Sequence, residues 1–376
     1  MAVRTEIAPE TVVRRVAGFG LAGSGSLLVV EPLDRRAWAS VLDRVSEERI
    51  LGLAAAAVHA GTVAVTEEQR TALLERHREA MLVALILERT LLGLTDRLRA
   101  GGVAAVVLKG PAVAHTVYRD PAWRQFGDID LLVRTEDLRA ACRVLVAEGL
   151  RRRVPEPRPG FDERFGKGVE FGSDGLIEVD LHRTLALGPF GLWIDPGELI
   201  DHAVGFSLAG SELQRLDRAG QFLHACMHAV LGSRRPRLLP LRDVAQLAED
   251  DEVDWDLVDD RAERWTVGAV LVRAVRTASR ALGWTPPPRA DELVARVPVT
   301  RRQQRALAAY AEGSGAGIAR AVATTQAIPG LAAKTSYLRA LLLPDHAFLA
   351  ARAGAGLRPS YVRRWITPAK RRLGQG

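Results

Sequence analysis

The chain has 376 residues, 48% apolar and 26% charged, an ordinary globular balance that excludes a disordered chain and argues against one embedded in a membrane. A formal net charge of +7 and an isoelectric point near 10.0 suit an anionic ligand, whether a nucleotide, a phosphorylated molecule or nucleic acid. Two cysteines, Cys142 and Cys226, cannot make a disulfide framework, so a reducing, cytoplasmic location is expected.

Near the start, Arg14-Arg15 precede an apolar run from Val16 to Val30 that superficially resembles an export signal. No small-x-small cleavage site follows, and the run is glycine-rich and too short to span a bilayer, so no membrane association is expected. From about residue 33 to 99 the pattern is helical. Trp38, Val41, Leu42 and Val45 recur at three- and four-residue spacing, and so do Leu82, Leu85, Leu87, Leu91, Leu92 and Leu94. Gly101-Gly102 ends this region, and the β-branched run Val103 to Leu108 has the length of a buried strand.

Lys109-Gly110-Pro111 stops that strand, and proline in a first turn predicts a short helix running toward Asp120-Pro121. A second strand is predicted over residues 128–133, followed by a helix over 135–148 with Thr135 as a candidate cap. Residues 155–166 form a polar loop. Gly168 to Gly172 and Leu176 to His182 flank Ser173-Asp174-Gly175, a hairpin signal. Beyond Gly188 the pattern is read as nearly all helical, ending in a basic cluster of Arg363, Arg364, Lys370, Arg371 and Arg372 that reads as a solvated tail. The expected organisation is an N-terminal helical region (1–100), a core (101–190) and a C-terminal helical region with a basic tail (191–376). The fold class is α+β, a small mixed β-sheet core flanked by helical regions.

The chemistry concentrates in the strands. Asp128 and Asp130 are two residues apart, so their side chains should leave one face of the sheet while Ile129 and Leu131 leave the other. In the hairpin, Glu178, Asp180 and His182 alternate with Ile177, Val179 and Leu181, so Asp180 joins the first pair if the strands are neighbours. Three convergent carboxylates repel unless a cation neutralises them, and hard oxygen ligands suit Mg2+ or Mn2+. Asp128, Asp130 and Asp180 are therefore the expected catalytic and metal-binding residues. Gly110 at a strand-to-helix turn allows close approach of phosphate, and Lys109 and Arg124 add positive charge. His182 is expected to orient Asp180 or contact the ligand.

The segment from Val107-Leu108-Lys109-Gly110 through Arg124-Gln125-Phe126-Gly127-Asp128-Ile129-Asp130-Leu131-Leu132-Val133 to Glu178-Val179-Asp180-Leu181-His182 resembles the largely uncharacterised bacterial nucleotidyltransferase family of the polymerase-β-like superfamily. The resemblance implies metal ligands at Asp128, Asp130 and Asp180, nucleotide phosphates near Gly110, and transfer of a nucleoside monophosphate from a nucleoside triphosphate to an unknown acceptor. It extends to His224, His228 and Leu241-Arg242-Asp243. It departs from the superfamily pattern in having Lys109-Gly110 where a Gly-Ser or Gly-Gly pair stands closer to the aspartates.

His224 and His228 have the i, i+4 spacing of two metal ligands but lack the glutamate of a zinc-protease helix, which favours packing. Asp243 divides between helix capping and substrate contact. Two other readings compete: glycosyl transfer from a nucleotide sugar, since Asp-x-Asp also holds a sugar nucleotide's metal, and a non-catalytic adaptor on a degenerate core. A nucleic-acid acceptor is possible but not favoured, because aromatic residues make up only 5% of the chain.

Overall fold

The computed structural model describes residues 7–24, 29–173, 175, 177–233, 235–311 and 316–353. The basic cluster from Arg363 to Arg372 lies outside them, as does Asp174 of the hairpin turn. Among the described residues no helix is long and apolar enough to cross a membrane.

The architecture is α+β, helices packed around a mixed seven-stranded sheet. The strands are β1 (Ala105–Val107), β2 (Ile129–Val133), β3 (Arg151–Arg152), β4 (Gly168–Gly172), β5 (Glu178–His182), β6 (Val204–Leu208) and β7 (Ser211–Arg215), in the order β3-β4-β5-β2-β1-β7-β6. β1 and β2 pair antiparallel, β2 and β5 parallel, and β4 and β5 antiparallel.

The period-2 alternation of the central strands divides the sheet into two unlike faces. Val107, Ile129, Leu131, Val133, Val169, Phe171, Val179 and Leu181 belong to one apolar cluster with Leu87, Leu91, Leu94 and Leu98 of the helix Glu67–Ala100 and Leu138, Ala141 and Leu145 of the helix Leu138–Ala147. The residues between them, Asp130, Asp180 and His182, leave from the opposite face. There Val106, Leu108 and Leu132 join the larger cluster of the N- and C-terminal helices. One face is held by burial of aliphatic area; the other keeps its polar side chains for other use.

Local signals place the helices. The 34-residue helix Glu67–Ala100 starts at a capping box in which Thr66 Oγ1 accepts from Gln69 N and the Gln69 side chain accepts from Thr66 N. Trp38, Val41, Leu42 and Val45 are the buried face of Arg35–Glu47, as their spacing predicts. The long helix differs from expectation: Leu87, Leu91 and Leu94 are buried, but Leu82 and Leu85 are exposed, because the sheet lies under its C-terminal half. The helix after β2 begins at Leu138, with Asp137 rather than Thr135 as the flanking residue.

The reading of an all-helical segment beyond Gly188 is corrected by β6 and β7. These pair as an antiparallel hairpin, with β7 docked parallel to β1, so the sheet continues past residue 190. Ala209 (φ 48°) and Gly210 (φ 82°) make its turn. Phe206, Leu208 and Leu213 alternate with Ser207, Glu212 and Gln214, and only the apolar set is buried.

Candidate active site

The register of the parallel pair sets the geometry. Asp130 of β2 stands directly beside Asp180 of β5, and Leu132 beside His182, so both acids and the histidine share one face. Asp130, Asp180 and His182 each offer a ligand atom within 4.8 Å of the others and could hold a metal ion. Asp128 is not in this closest set. The strand begins at Ile129 rather than at Asp128 as predicted, leaving Asp128 at the bend before it with its side chain 34% exposed, against 1% for Asp130. The site therefore grades from a buried acid to one open to solvent.

Lys109, one residue past Leu108, closes the group. Its Nζ is 2.9 Å from Asp130 Oδ2 and 3.8 Å from Asp128 Oδ2. Burial works against the ammonium, but Asp130 and Asp128 outweigh it and raise the Lys109 pKa. Burial likewise opposes ionisation of Asp130, yet Lys109 and the His182 hydrogen bond hold that carboxyl well below its usual range. Asp180 has no such partner, and burial followed by the charge of Asp130 pushes it up to about 6. Two neighbouring acids thus behave oppositely: burial opposes ionisation of both, but only Asp130 has an ion pair and a hydrogen bond that outweigh it.

His182 is buried, and its Nε2 lies 2.9 Å from Asp130 Oδ1. Burial, then the charge of Lys167, lowers its pKa to about 4, so the ring is neutral and its single proton is best placed on Nε2, donated to Asp130. The predicted contact with Asp180 is replaced by this bond to Asp130. Behind it, the His182 and His224 ring centroids are 6.4 Å apart at an interplanar angle of 78°. His224 and His228 project from the helix Arg218–Leu231, and burial, then Lys109, lowers both pKa values well below the usual histidine value.

Gly110 has φ 51° and ψ −121°, a conformation that side chains other than glycine's rarely tolerate. The helix after it, Pro111–Thr116, has six residues; Pro111 supplies no N–H, and Ala112 N already donates to Lys109 O. Few backbone donors are left for a phosphate.

Arg124, expected to meet phosphate, is instead turned inward at 4% exposure. Its Nε donates to Asp243 Oδ1 at 2.9 Å and its Nη2 to Oδ2 at 2.7 Å, while Tyr118 donates to the same carboxylate at 2.8 Å. Its Nη1 lies 3.4 Å from Gly110 O. Asp243 is thereby accounted for: it is neither a helix cap nor solvent-facing, but the buried anion that fixes Arg124 behind the Gly110 turn.

Lys167 was missed in the sequence. Its carbonyl accepts from Arg183 N at 2.8 Å and Thr184 N at 3.2 Å, which fixes it beside the end of β5. Its ammonium senses Lys109, Asp130, Asp180 and Asp128, and burial, then Lys109, lowers its pKa. A signal was available: the chain carries four lysines, Lys109, Lys167, Lys334 and Lys370, against a background of arginine. Two of the four meet here.

Fold and site together define an α+β protein whose mixed sheet presents a partly open cluster of carboxylates, lysines and a neutral histidine on one face. Residues 34–283 match the family described as uncharacterised nucleotidyltransferase, and the chain belongs to that family. No curated protein matches. A crystal structure of an antigenic nucleotidyltransferase-like protein from Paracoccidioides brasiliensis is 14% identical, with a TM-score of 0.32 over 54% of this chain and 93% of that one, a likeness too low to argue from.

Proposed function

We propose that the protein transfers a nucleoside monophosphate from a nucleoside triphosphate to a hydroxyl or phosphate acceptor, with Asp128, Asp130 and Asp180 as the catalytic and metal-holding residues. The observation that carries this reading is the side-by-side register of Asp130 and Asp180 on parallel strands, with Lys109 against Asp130.

The donor set fits a divalent cation. Crowding by Asp130 is part of what raises the Asp180 pKa, and a cation shared between them relieves that repulsion. Oxygen donors from Asp128, Asp130 and Asp180 suit Mg2+ or Mn2+. When bound, the ion supplies charge neutralisation of the triphosphate and lowers the pKa of the attacking hydroxyl.

The chain's own residues do the rest. His182 holds Asp130 in place by donating from Nε2. Lys109 keeps Asp130 ionised through their 2.9 Å ion pair. Asp180, less buried than Asp130, takes the proton from the acceptor hydroxyl on a carboxylate oxygen. Gly110 holds the Lys109 turn, and Arg124 supports it from behind through Asp243.

Incubating the protein with each nucleoside triphosphate, Mg2+ or Mn2+, and candidate hydroxyl and phosphate acceptors tests this by release of pyrophosphate. Metal-dependent binding of no nucleotide, or selective stabilisation by a sugar nucleotide over every triphosphate, would overturn it.

A further inference from the structure

Among the described residues, Lys109, Arg124 and Lys167 are cations set within the carboxylate cluster, while the exposed Arg49 lies at its rim against Gly127; two of the three inner ones are committed. Lys109 is in ion-pair contact with Asp130, and Arg124 spends both faces of its guanidinium on Asp243 and Gly110 O. Lys167 is different. Among the described residues its ammonium has no hydrogen bond and no carboxylate within ion-pair distance, although Asp128, Asp130 and Asp180 all act on it from farther away.

Its backbone leaves little freedom to move elsewhere. Lys167 O accepts two N–H donors from Arg183 and Thr184, Arg183 Nε donates to Gly166 O, and Gly168 pairs with His182. At Gly168 an added Cβ would come within 2.1 Å of Leu181 O, so β4 runs unusually close to β5 and brings Lys167 in beside the catalytic strand.

A partly buried ammonium without a partner is costly to keep unless a ligand completes it. Behind His182, the rings of His224 and His228 have no hydrogen-bond partner among the described residues, and both sense Lys109 and Lys167.

We propose that Lys167 is the phosphate-binding lysine of the site, meeting the triphosphate's terminal phosphates and the departing pyrophosphate. The inference rests on the nucleotidyl-transfer reading and assigns within it a residue outside the Lys-Gly turn and the three aspartates. A compact ammonium suits this place better than guanidinium, which needs room for a planar fork.

The test is calorimetric titration of the full chain with Mn2+ alone, with inorganic pyrophosphate plus Mn2+, and with each nucleoside triphosphate plus Mn2+, for the wild type, Lys167→Met and Lys167→Arg. Urea unfolding of each variant checks the fold, and Lys167→Gln replaces the methionine variant if that one does not fold. The expected result is unchanged or tighter Mn2+ binding in Lys167→Met, with pyrophosphate and triphosphate affinity falling roughly tenfold to a hundredfold, as for loss of a charge-assisted hydrogen bond. Lys167→Arg recovers only part of that loss. Equal phosphate affinity in the wild type and Lys167→Met overturns the assignment, as does parallel loss of Mn2+ and phosphate binding, which marks a structural role. If the wild type itself binds no phosphate ligand with metal, the nucleotidyl-transfer reading fails and takes this one with it.

Discussion

Replacing Asp180 with asparagine should make the metal-free protein more stable, not less. The Asp180 carboxyl is raised from 3.8 to about 6, first by burial and then by Asp130. The folded state therefore keeps a proton that the unfolded chain has released. Stability is lost as pH rises through the window from 3.8 to about 6, and the penalty is complete above it. A shift of that size corresponds to at most about 3 kcal/mol, and partial solvent access brings the working figure to roughly 1–2 kcal/mol. Asparagine is nearly isosteric and has no charge to desolvate. In chelator-treated samples, urea unfolding across this range should show Asp180→Asn above the wild type at neutral pH, with the gap closing toward the acid end. Adding saturating Mn2+ should reverse the order, since a ligand at one hundred times its Kd contributes about 2.7 kcal/mol to the protein that binds it. An asparagine variant less stable than the wild type at neutral pH without metal would refute the claim that Asp180 is held at electrostatic cost for a cation.

Other substitutions probe the supports of the site. Arg124→Met leaves the Asp243 carboxylate buried without its cation, with only the Tyr118 hydroxyl still donating to it, and should cost about 3 kcal/mol in urea unfolding, with Arg124→Met/Asp243→Leu regaining part of it; an equal or larger loss in the double variant would mean the pair is not what holds this region. Gly110→Ala meets Phe126 only at an ordinary 3.5 Å, so its cost is backbone strain of about 1–3 kcal/mol, read in the same assay, and a silent substitution would contradict the conformation described. His182→Phe removes the donor that orients Asp130 and should weaken Mn2+ binding about 10- to 100-fold by calorimetry, and unchanged affinity would remove His182 from the positioning role.

What could be read from the sequence followed from periodicity. Asp130 with Leu131, and Asp180 with Leu181, declared two-faced strands, and the facing pair Asp130 and Asp180 needed only the assumption that those strands are neighbours, which their parallel register bears out. Contacts between distant segments were not legible. Nothing local in Arg124 announces Asp243, 119 residues away, so an arginine beside an aspartate strand read as a phosphate ligand when it is an internal tie. The β6–β7 hairpin was hidden by its turn: Ala209-Gly210 lacks the usual asparagine or aspartate, and the short alternation of Phe206 and Leu208 was absorbed into a helical reading. Lys167 fell between a loop and a strand, and its importance comes from the chain curling Gly168 against β5.

The most direct test of the central claim is Mn2+ titration of the wild type beside Asp130→Asn and Asp180→Asn, followed by calorimetry or electron paramagnetic resonance. If Asp130 and Asp180 hold one ion between their strands, the wild type binds Mn2+ and each single variant loses that site. Undiminished Mn2+ binding in both variants, or none in the wild type, would contradict it.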